Sequence, residues 1–175
     1  MCVIETSPVI ESRRLILRAP EVSDAPRLSA LGNDAQIARM TCRMPHPFDR
    51  QKAMAFIDDV AASDPRREAT FVIEHEDHGA VGVLSLSGGE VPELGYWIGR
   101  PFWGRGLATE ACEAALAFVR RHWKRRAVTA GHFVDNPASG RVLTKAGFLY
   151  TGARQMQHSL ARGASVESRS MIWLA

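Results

Sequence analysis

Apolar positions recur along the chain at two spacings, one typical of strands and the other typical of helices. Short runs of alternating or continuous apolar residues, bounded by glycine, proline or charged residues, predict the strands. These strands are Arg14–Arg18, Thr70–His75, Ala80–Leu86, Glu93–Ile98 and Ala127–Val134. The tail predicts a closing hairpin formed by Phe148–His158 and Val166–Trp173 around Arg162 and Gly163.

Helical spacing and capping residues predict five helices between these strands. The first is capped by Ser23 or Asp24 and runs to about Leu31, and a short one covers Ala35–Arg39. Asp49 caps a third helix that ends near Ser63, after the proline-containing loop Met44–Phe48. The remaining two helices are Leu107 to about Arg121, and a short one with Asn136 as its cap, Pro137 at its first position and Gly147 just after it.

The connections between the predicted elements indicate the topology of the sheet. The turn Glu76–Gly79 predicts an antiparallel hairpin, whereas the helix between Glu93–Ile98 and Ala127–Val134 predicts a parallel pair joined by a right-handed crossover. The sequence therefore predicts an α/β (α+β mixed) fold, a mostly antiparallel sheet with a central parallel strand pair and flanking helices. Because no repeat or long linker interrupts the pattern, residues 1–175 are predicted to form a single domain.

Composition is consistent with one core and with a cytoplasmic protein. The chain has 175 residues, of which 46% are hydrophobic and 23% charged, and its apolar runs are shorter than the roughly 20 residues that span a bilayer. Its first residues have no apolar signal segment, so no membrane partner is expected. Cys2, Cys42 and Cys112 are too widely spaced for a disulfide framework or a zinc ribbon, and no metal is expected.

One cluster of basic residues, RRHWKRR at residues 120–126, stands out against a net charge of +3. It is a candidate nucleic-acid patch, but the end of a helix, where cations complement the helix dipole, is the favoured interpretation. No nucleic-acid partner is therefore expected. At about 1.5 Å per residue, the predicted helix also places this cluster some 20 Å from the segment that precedes the helix.

That preceding segment, WGRGLATEA at residues 103–111, has two glycines one residue apart between a predicted strand and a predicted helix. Glycine permits positive φ and close backbone approach, and a helix N-terminus presents unpaired N–H groups. This order of elements predicts a cradle for an anion. A dinucleotide fingerprint would need a third glycine where Thr109 stands, and a Walker loop is absent. A tight turn with no ligand remains the alternative.

Two segments, ELGYWIGRPFWGRGLATEA at 93–111 and NPASGRVLTKAGF at 136–148, resemble the acetyl-coenzyme A (acetyl-CoA) binding core of the GCN5-related N-acetyltransferase (GNAT) superfamily. The opening RLILRAPEVSDAPRL and the later MPHPF are similar to the branch that includes the RimJ and RimL ribosomal-protein N-terminal acetyltransferases. The resemblance covers nearly the whole chain in order. It implies the GNAT fold and direct transfer of an acetyl group from acetyl-CoA to an amine.

The resemblance also implies which residues hold acetyl-CoA. In the family, the glycine loop donates N–H groups to the pyrophosphate, and the pantetheine arm pairs with the preceding strand. Mapped here, the binding residues are Tyr96, Trp97, Ile98, Trp103, Gly104, Arg105, Gly106, Leu107, Ala108, Asn136 and Ser139. Candidate side-chain partners of the phosphates are Arg100, Arg105, Arg141 and Lys145.

One position in this segment departs from the family pattern. Pro101 stands where relatives often have glutamine or arginine. Proline has no N–H, so a donor expected there is missing. We expect this loss to weaken coenzyme binding rather than abolish it.

Glu93 and Ser139 are the candidate catalytic residues. Glu93 occupies the position at which some relatives keep a glutamate general base, and strand alternation puts it on one face with Gly95 and Trp97. A surface glutamate without a catalytic role is the alternative. Ser139 matches a serine that is proposed in the RimL-like branch to protonate the leaving thiolate.

Helix capping is the alternative role for Ser139. Many relatives instead use a tyrosine seven residues after the asparagine, and Leu143 stands there. Tyr150 is a more distant candidate for the acid.

The first functional hypothesis is transfer of an acetyl group from acetyl-CoA to a protein N-terminal α-amine. Two alternatives stay open: a small-molecule amine acetyltransferase acting on an amino acid, polyamine or aminoglycoside, and an acyl-CoA binding module without catalysis. The loops at residues 41–49 and 87–92, the first helices and the final hairpin are expected to select the acceptor. Exposed edges of that hairpin are candidates for pairing in a homodimer.

Overall fold

The computed structural model describes residues 8–65 and 67–175, and its centre is an eight-stranded sheet. The strands are β1 (Ile10–Glu11), β2 (Leu15–Arg18), β3 (Ala69–His75), β4 (Gly79–Ser87), β5 (Glu93–Ile98), β6 (Ala127–Phe133), β7 (Leu149–Ser159) and β8 (Ala164–Leu174). Their spatial order is β1-β2-β3-β4-β5-β6-β8-β7. All neighbours are antiparallel except β5 and β6, as the sequence pattern predicts.

Five α-helices flank the sheet at the predicted places. They are α1 (Ala25–Gly32), α2 (Ala35–Ala38), α3 (Arg50–Ala62), α4 (Leu107–Phe118) and α5 (Pro137–Lys145). Short 3₁₀ turns at Val22–Asp24 and Arg100–Phe102 precede α1 and the glycine loop. Asp49 caps α3 by accepting a hydrogen bond from the Lys52 N–H, which confirms its predicted role.

Two predicted helix ends differ from the structure. Asp24 stands at the predicted N-cap position of α1, but its side chain forms no capping bond, because its carboxylate pairs with Arg18 and accepts the Glu21 N–H. At the other predicted end, α4 passes into a π-helical turn at Val119–Trp123, which Lys124 closes with φ of 53°. Trp123 packs against the core there, while Arg120, Arg121, Lys124 and Arg126 are exposed, as the helix-end interpretation of the basic cluster predicts.

The sheet has a hydrophobic core on each face. The larger cluster lies under α4 and α5 and contains Leu94 and Ile98, with Tyr96 packed against it. The smaller cluster lies under α1 and α3, and Trp97 packs against that one. Strand alternation along β5 is therefore confirmed: successive side chains enter opposite cores.

β5 and β6 form one register pair, Glu93 with Thr129, supported by the Thr129 N–H, which donates to Pro92 O at 2.9 Å. Beyond this pair the two strands separate toward their carboxyl ends. The separation divides the sheet into a five-stranded and a three-stranded part. It leaves main-chain groups on the facing edges of β5 and β6 without a strand partner, because a strand edge pairs only with a neighbour within hydrogen-bond reach.

Cysteine, metal and membrane predictions can be compared with the described part of the chain. Cys42 and Cys112 are free thiols, and Cys112 is fully buried in the larger core, whereas Cys2 lies outside the described residues. Residues 8–65 and 67–175 contain no group of three or more metal-ligating side chains. None of the helices among these residues is both long and apolar enough to cross a membrane. β7 is one edge of the sheet, and the homodimer stays a prediction for that edge.

Candidate active site

A cavity of about 1470 Å³ opens where β5 and β6 separate. Nearly all the residues predicted to bind acetyl-CoA or to act in catalysis line it. These are Glu93, Tyr96, Trp97, Ile98, Trp103, Gly104, Gly106, Leu107, Ala108, Asn136 and Ser139. Arg105 is the exception among the predicted binding residues: it does not line the cavity, and its guanidinium lies over the ring of Phe102, which does.

The glycine loop has the backbone shape that the sequence predicts. Gly104 and Gly106 adopt φ of 75° and 76°, a region that side chains with a Cβ rarely occupy. Gly106 is the N-cap of α4, and no side chain caps that helix. The loop is also pinned to β5, because the Trp103 indole N–H donates to Ile98 O at 2.6 Å. The helix N-terminus therefore presents main-chain N–H groups to the cavity, and this fits a pyrophosphate.

Pro101 lies in the 3₁₀ turn before this loop, within the first two positions of the turn. An N–H at the start of a helical turn has no partner within the turn. The turn is completed instead by the N–H groups of Phe102 and Trp103, which donate to Gly99 O and Arg100 O. The departure from the family pattern therefore leaves the shape of the turn intact.

The four basic residues near the loop have different surroundings. Arg105 lies over the Phe102 ring, 5.7 Å from its centroid, and Arg100 forms an ion pair with Asp34 at 2.8 Å. Arg141 and Lys145 line the cavity, so their side chains are the ones placed to meet an anion there. The Arg105 guanidinium lies at an aromatic ring, and its role as a partner of the phosphates stays a prediction.

Glu110, in the first turn of α4, ties this helix to the start of the sheet. Its carboxylate accepts hydrogen bonds from the Ser12 hydroxyl at 2.8 Å and from the Arg14 N–H at 2.7 Å, and it forms an ion pair with the Arg14 guanidinium at 2.8 Å. Burial alone would raise the pKa of Glu110, but these bonds lower it below its usual value. Sequence reasoning missed this pair, which joins residues 96 positions apart.

Glu93 is the first residue of β5 and lies exposed at the cavity, on the α3 side of the sheet. Cys42 lies nearby, and its thiol donates to Gln157 Oε1 at 3.2 Å. Burial, together with the Glu93 charge, raises the pKa of the Cys42 thiol. Among the described residues, no arginine or lysine forms an ion pair with the Glu93 carboxylate.

Asn136 and Ser139 lie at the N-terminus of α5, on the opposite side of the cleft. Asn136 Oδ1 accepts the Ser139 N–H at 3.2 Å, which confirms the predicted cap. The Ser139 hydroxyl is not used in that cap, and its oxygen lies 3.0 Å from the Tyr96 hydroxyl oxygen. Leu143 is buried in the core beneath them.

Tyr150 is not among the residues that line the cavity. Its hydroxyl lies 2.9 Å from Nε2 of the buried His132. Nδ1 of His132 lies 2.8 Å from Phe133 O, and a carbonyl only accepts, so we assign the proton to Nδ1. Nε2 then accepts from Tyr150. Gly140 permits this pairing, because a Cβ there would lie 2.6 Å from the Tyr150 hydroxyl oxygen.

On the α3 side, the cavity extends into a space that we call the apolar chamber. Its apolar walls are Met44, Phe48, Phe56, Val60, Val83 and Trp97. The sheet beneath the chamber carries small residues, among them Gly95 and Ser85. A Cβ built on Gly95 would have only Ser85 Oγ within 4 Å, at 3.5 Å. Asp59 and Glu68 are exposed residues that also line the cavity.

The segment 39–42 joins the two parts of the sheet beside this chamber. The Leu160 N–H donates to Cys42 O at 2.9 Å, and the Ser159 hydroxyl donates to Thr41 O at 3.0 Å. Arg162 donates to Arg39 O at 2.6 Å. The tip of the β7–β8 hairpin is therefore fixed to the N-terminal half of the chain.

Comparisons with known proteins agree with this architecture. A curated relative, the uncharacterized N-acetyltransferase YoaA of Bacillus subtilis strain 168, is 28% identical over 151 residues, which are 83% of this chain and 85% of YoaA. The structure of RimL, a ribosomal L7/L12 alpha-N-protein acetyltransferase, in complex with coenzyme A matches with a TM-score of 0.83 at 21% identity, over 95% of this chain and 98% of RimL.

A second solved structure, the spermidine N-acetyltransferase of Vibrio cholerae with coenzyme A and spermine, matches with a TM-score of 0.78 at 19% identity. The match covers 93% of this chain and 96% of that protein. The family model described as an acetyltransferase (GNAT) domain matches residues 14–149. That range includes the separating strands, the glycine loop and the helix that carries Ser139. The chain therefore belongs to the GNAT acetyltransferase family and is an N-acetyltransferase.

Proposed function

We propose that this enzyme binds acetyl-CoA in the cleft between β5 and β6 and transfers the acetyl group to a protein N-terminal α-amine, with Glu93 as the general base. The observation that carries this proposal is the continuity of the cavity. It runs from the N–H groups of α4, through the gap between the strands, to Glu93 and the apolar chamber. A single ligand in the gap thus has an anion cradle at one end and a carboxylate at the other.

The residues at the gap have separate tasks in this proposal. Main-chain N–H groups of the loop and of α4 hold the pyrophosphate, and the free edge of β5 pairs with the pantetheine amides. Glu93 takes the proton from the attacking amine, which must be neutral to react. Ser139, on the other side of the cleft, stabilises the sulfur that departs with negative charge.

The apolar chamber supports a peptide N-terminus as the acceptor. An α-amine on the Glu93 side places the first side chain of a peptide beside the aromatic walls formed by Phe56 and Trp97. Burying such a side chain contributes roughly 1.5–3 kcal/mol. RimL, whose structure has a similar fold, is a ribosomal L7/L12 alpha-N-protein acetyltransferase.

A small polyamine is the second candidate acceptor. Asp59, Glu68 and Glu93 are three of the four acidic residues that line the cavity, the fourth being Asp135, which is bound to Arg162, and a polyamine carries several positive charges. The spermidine acetyltransferase of Vibrio cholerae has a similar fold. These acids favour a cation in the chamber, whereas its apolar walls favour a peptide side chain.

A panel of acceptors separates these candidates. Free thiol is measured with acetyl-CoA and peptides that begin with alanine, leucine or phenylalanine, with matched peptides whose N-terminus is blocked, and with spermidine. We expect thiol release with the free peptides, fastest for the apolar first residues, and none with the blocked ones. Turnover of spermidine alone would replace the peptide proposal by the polyamine one.

The role of Glu93 is tested by Glu93→Gln, with Glu76→Gln as the control. Glu76 is an exposed glutamate in the turn between β3 and β4 that does not line the cavity. We expect Glu93→Gln to lower kcat/KM by about 10²–10⁴-fold, with activity recovering as pH rises and the amine loses its own proton. The control should keep full activity. An unchanged pH profile in Glu93→Gln would remove Glu93 from the mechanism.

A further inference from the structure

A hydrogen bond between Tyr96 and Ser139 crosses the cleft in which the acyl donor is proposed to bind. Tyr96 belongs to β5, and Ser139 belongs to the first turn of α5, which follows β6. Their hydroxyl oxygens lie 3.0 Å apart although the residues are 43 positions apart in sequence. Both residues line the cavity. The bond therefore joins the two edges of the gap at the cavity itself.

The surroundings of the two hydroxyls decide which one donates. The Ser139 N–H is bound to Asn136 Oδ1, and within the described residues the Ser139 hydroxyl has Tyr96 as its hydrogen-bond partner. Burial raises the pKa of the Tyr96 phenol, so this phenol keeps its proton at any working pH. At 3.0 Å either oxygen can be the donor, and a phenol is intrinsically a stronger donor than an aliphatic hydroxyl. We therefore assign the hydrogen of this bond to Tyr96.

A serine hydroxyl that accepts one hydrogen bond still carries its own proton, which is free to point elsewhere. Accepting from the phenol also polarises the serine O–H and makes it a better donor. The side of Ser139 that remains open is the cavity. The Asn136 bond fixes the Ser139 backbone, and the Tyr96 bond holds the Ser139 hydroxyl oxygen, which leaves the hydroxyl hydrogen to be directed into the cleft.

We propose that Tyr96 is a positioning residue, which donates to Ser139 Oγ so that the Ser139 hydroxyl donates to the departing sulfur of the acyl donor. As the carbon–sulfur bond breaks, the sulfur takes the electron pair, and the Ser139 O–H forms a hydrogen bond to the thiolate. The proton of Tyr96 stays on its oxygen throughout. The inference rests on the proposed role of Ser139.

This arrangement explains how an enzyme of this kind works with Leu143 in place of a tyrosine. The phenol is supplied from the strand opposite instead of from α5, and it acts through the serine. Tyr96→Phe removes the hydroxyl and keeps the ring, which packs against the larger core. The variant therefore tests the hydrogen bond without opening a cavity.

The experiment is a double-mutant cycle of Tyr96→Phe and Ser139→Ala, with kcat, the KM for acetyl-CoA and the melting temperature measured for each variant. We expect Tyr96→Phe to lower kcat about tenfold with KM for acetyl-CoA within about twofold, since one hydrogen bond is lost. Ser139→Ala should lower kcat further. The double variant should be no slower than Ser139→Ala, because Tyr96 acts only through Ser139.

Thr144→Ala is the matched control for Ser139→Ala. Thr144 is a hydroxyl residue on the same helix, but it donates to Gly140 O and does not line the cavity. This control should keep the wild-type kcat. It separates the loss of the Ser139 hydroxyl from a general weakening of α5.

The possible failures are distinguishable. If Ser139→Ala keeps full activity, the proposed role of Ser139 is wrong, and the role of Tyr96 falls with it. If Ser139→Ala is slow while Tyr96→Phe is normal, or if the two losses multiply in the double variant, only the positioning role is overturned. A matching loss of kcat in Tyr150→Phe, with Tyr96→Phe unaffected, would assign the function to the other tyrosine.

Discussion

At the scale of single residues, Asn136 caps α5 and Ser139 keeps its hydroxyl for another partner, a division of roles that the sequence pattern does not specify. Both are residue types that cap helices, and three positions separate them. In the structure the asparagine side chain binds the serine N–H, and the serine hydroxyl is left for a partner across the cleft. The cap therefore does not compete with the proposed function of Ser139. Instead, it fixes the backbone from which the hydroxyl projects.

Glu110 gives a prediction about the dependence of stability on pH. Its pKa is lower in the folded protein than in the unfolded chain, where it is near 4.5. The bonds of Glu110 therefore stabilise the fold fully above pH 4.5, and this stabilisation is lost as pH falls through the folded-state pKa. We expect Glu110→Gln to lower the free energy of unfolding at pH 7 by about 1.5–3 kcal/mol. Urea unfolding at several pH values measures this difference.

The difference between wild type and Glu110→Gln should shrink as pH falls below 4.5, where the unfolded chain begins to bind a proton at Glu110, and should disappear once the pH is below the folded-state pKa. Glu113→Gln is the control, because this exposed residue lies one turn along the same helix and forms no ion pair among the described residues. A constant gap across the whole pH range would mean that the Glu110 charge does not supply the stabilisation.

Single residues also mark the limit of sequence reasoning. Gly104 and Gly106 were identifiable because a positive φ is encoded in the residue type itself. The direction of the Arg105 side chain could not be predicted, because it depends on the position of the Phe102 ring, which the sequence does not specify. The partners of Glu110 and Tyr96 were missed for the same reason, since long-range contacts follow only from the assembled fold.

At the scale of elements, the glycine loop and α4 act as one unit. Gly106 is both the last residue of the loop and the cap of the helix, so the orientation of the first helical N–H groups depends on its left-handed conformation. A side chain at this position would disfavour that conformation by roughly 1–2 kcal/mol. Anion binding and helix geometry are thus linked through one backbone position.

We predict that Gly106→Ala weakens acetyl-CoA binding at least about tenfold, because relief of the backbone strain turns the N–H groups away from the pyrophosphate. Gly152→Ala is the matched control: Gly152 has φ of 84°, has no atom within 4 Å of a built Cβ, and does not line the cavity. Both variants should lose similar stability in urea, but only Gly106→Ala should raise the Kd in calorimetry. Equal Kd values would contradict the cradle.

Sequence reasoning predicted the elements that depend on local patterns. Examples are β5, α3 with its cap Asp49, and α5 with its cap Asn136. Two elements required tertiary information. β1 has two residues and exists because it pairs with β2, and the π-helical turn after α4 arises where Phe118 stacks with His122 and contacts Trp123. Neither feature has a periodicity long enough to be read from the sequence.

At the scale of the whole molecule, the functional cleft exists because the sheet is in two parts. One register pair joins β5 to β6, and the helices α4 and α5 cover the separation on one side. On the other side, segment 39–42 and the β7–β8 hairpin tip hold the parts together. The gap is therefore bounded by contacts outside the sheet, and we expect these contacts to set its width at the proposed acceptor end.

Arg162 is the centre of these contacts, and it carries the last prediction. Besides Arg39 O, its guanidinium binds both carboxylate oxygens of Asp135, at 2.8 and 3.0 Å, and lies 5.0 Å from the centre of the Phe133 ring. We expect Arg162→Met to lower the free energy of unfolding by about 2 kcal/mol, because a bidentate pair and a main-chain bond are lost. It should also raise KM for the acceptor more than KM for acetyl-CoA, since the acceptor end of the gap loosens.

Arg154→Met on the same hairpin is the control for this prediction. Arg154 is 61% exposed and forms one ion pair with Glu167 at 3.1 Å, so its loss should change the free energy of unfolding by no more than about 0.5 kcal/mol. Urea unfolding and steady-state kinetics on both variants complete the comparison. If Arg162→Met matched Arg154→Met in stability and in both KM values, Arg162 would not control the gap, and the other contacts between the two parts of the sheet, among them the Glu93–Thr129 pair and the helices α4 and α5, would hold their separation.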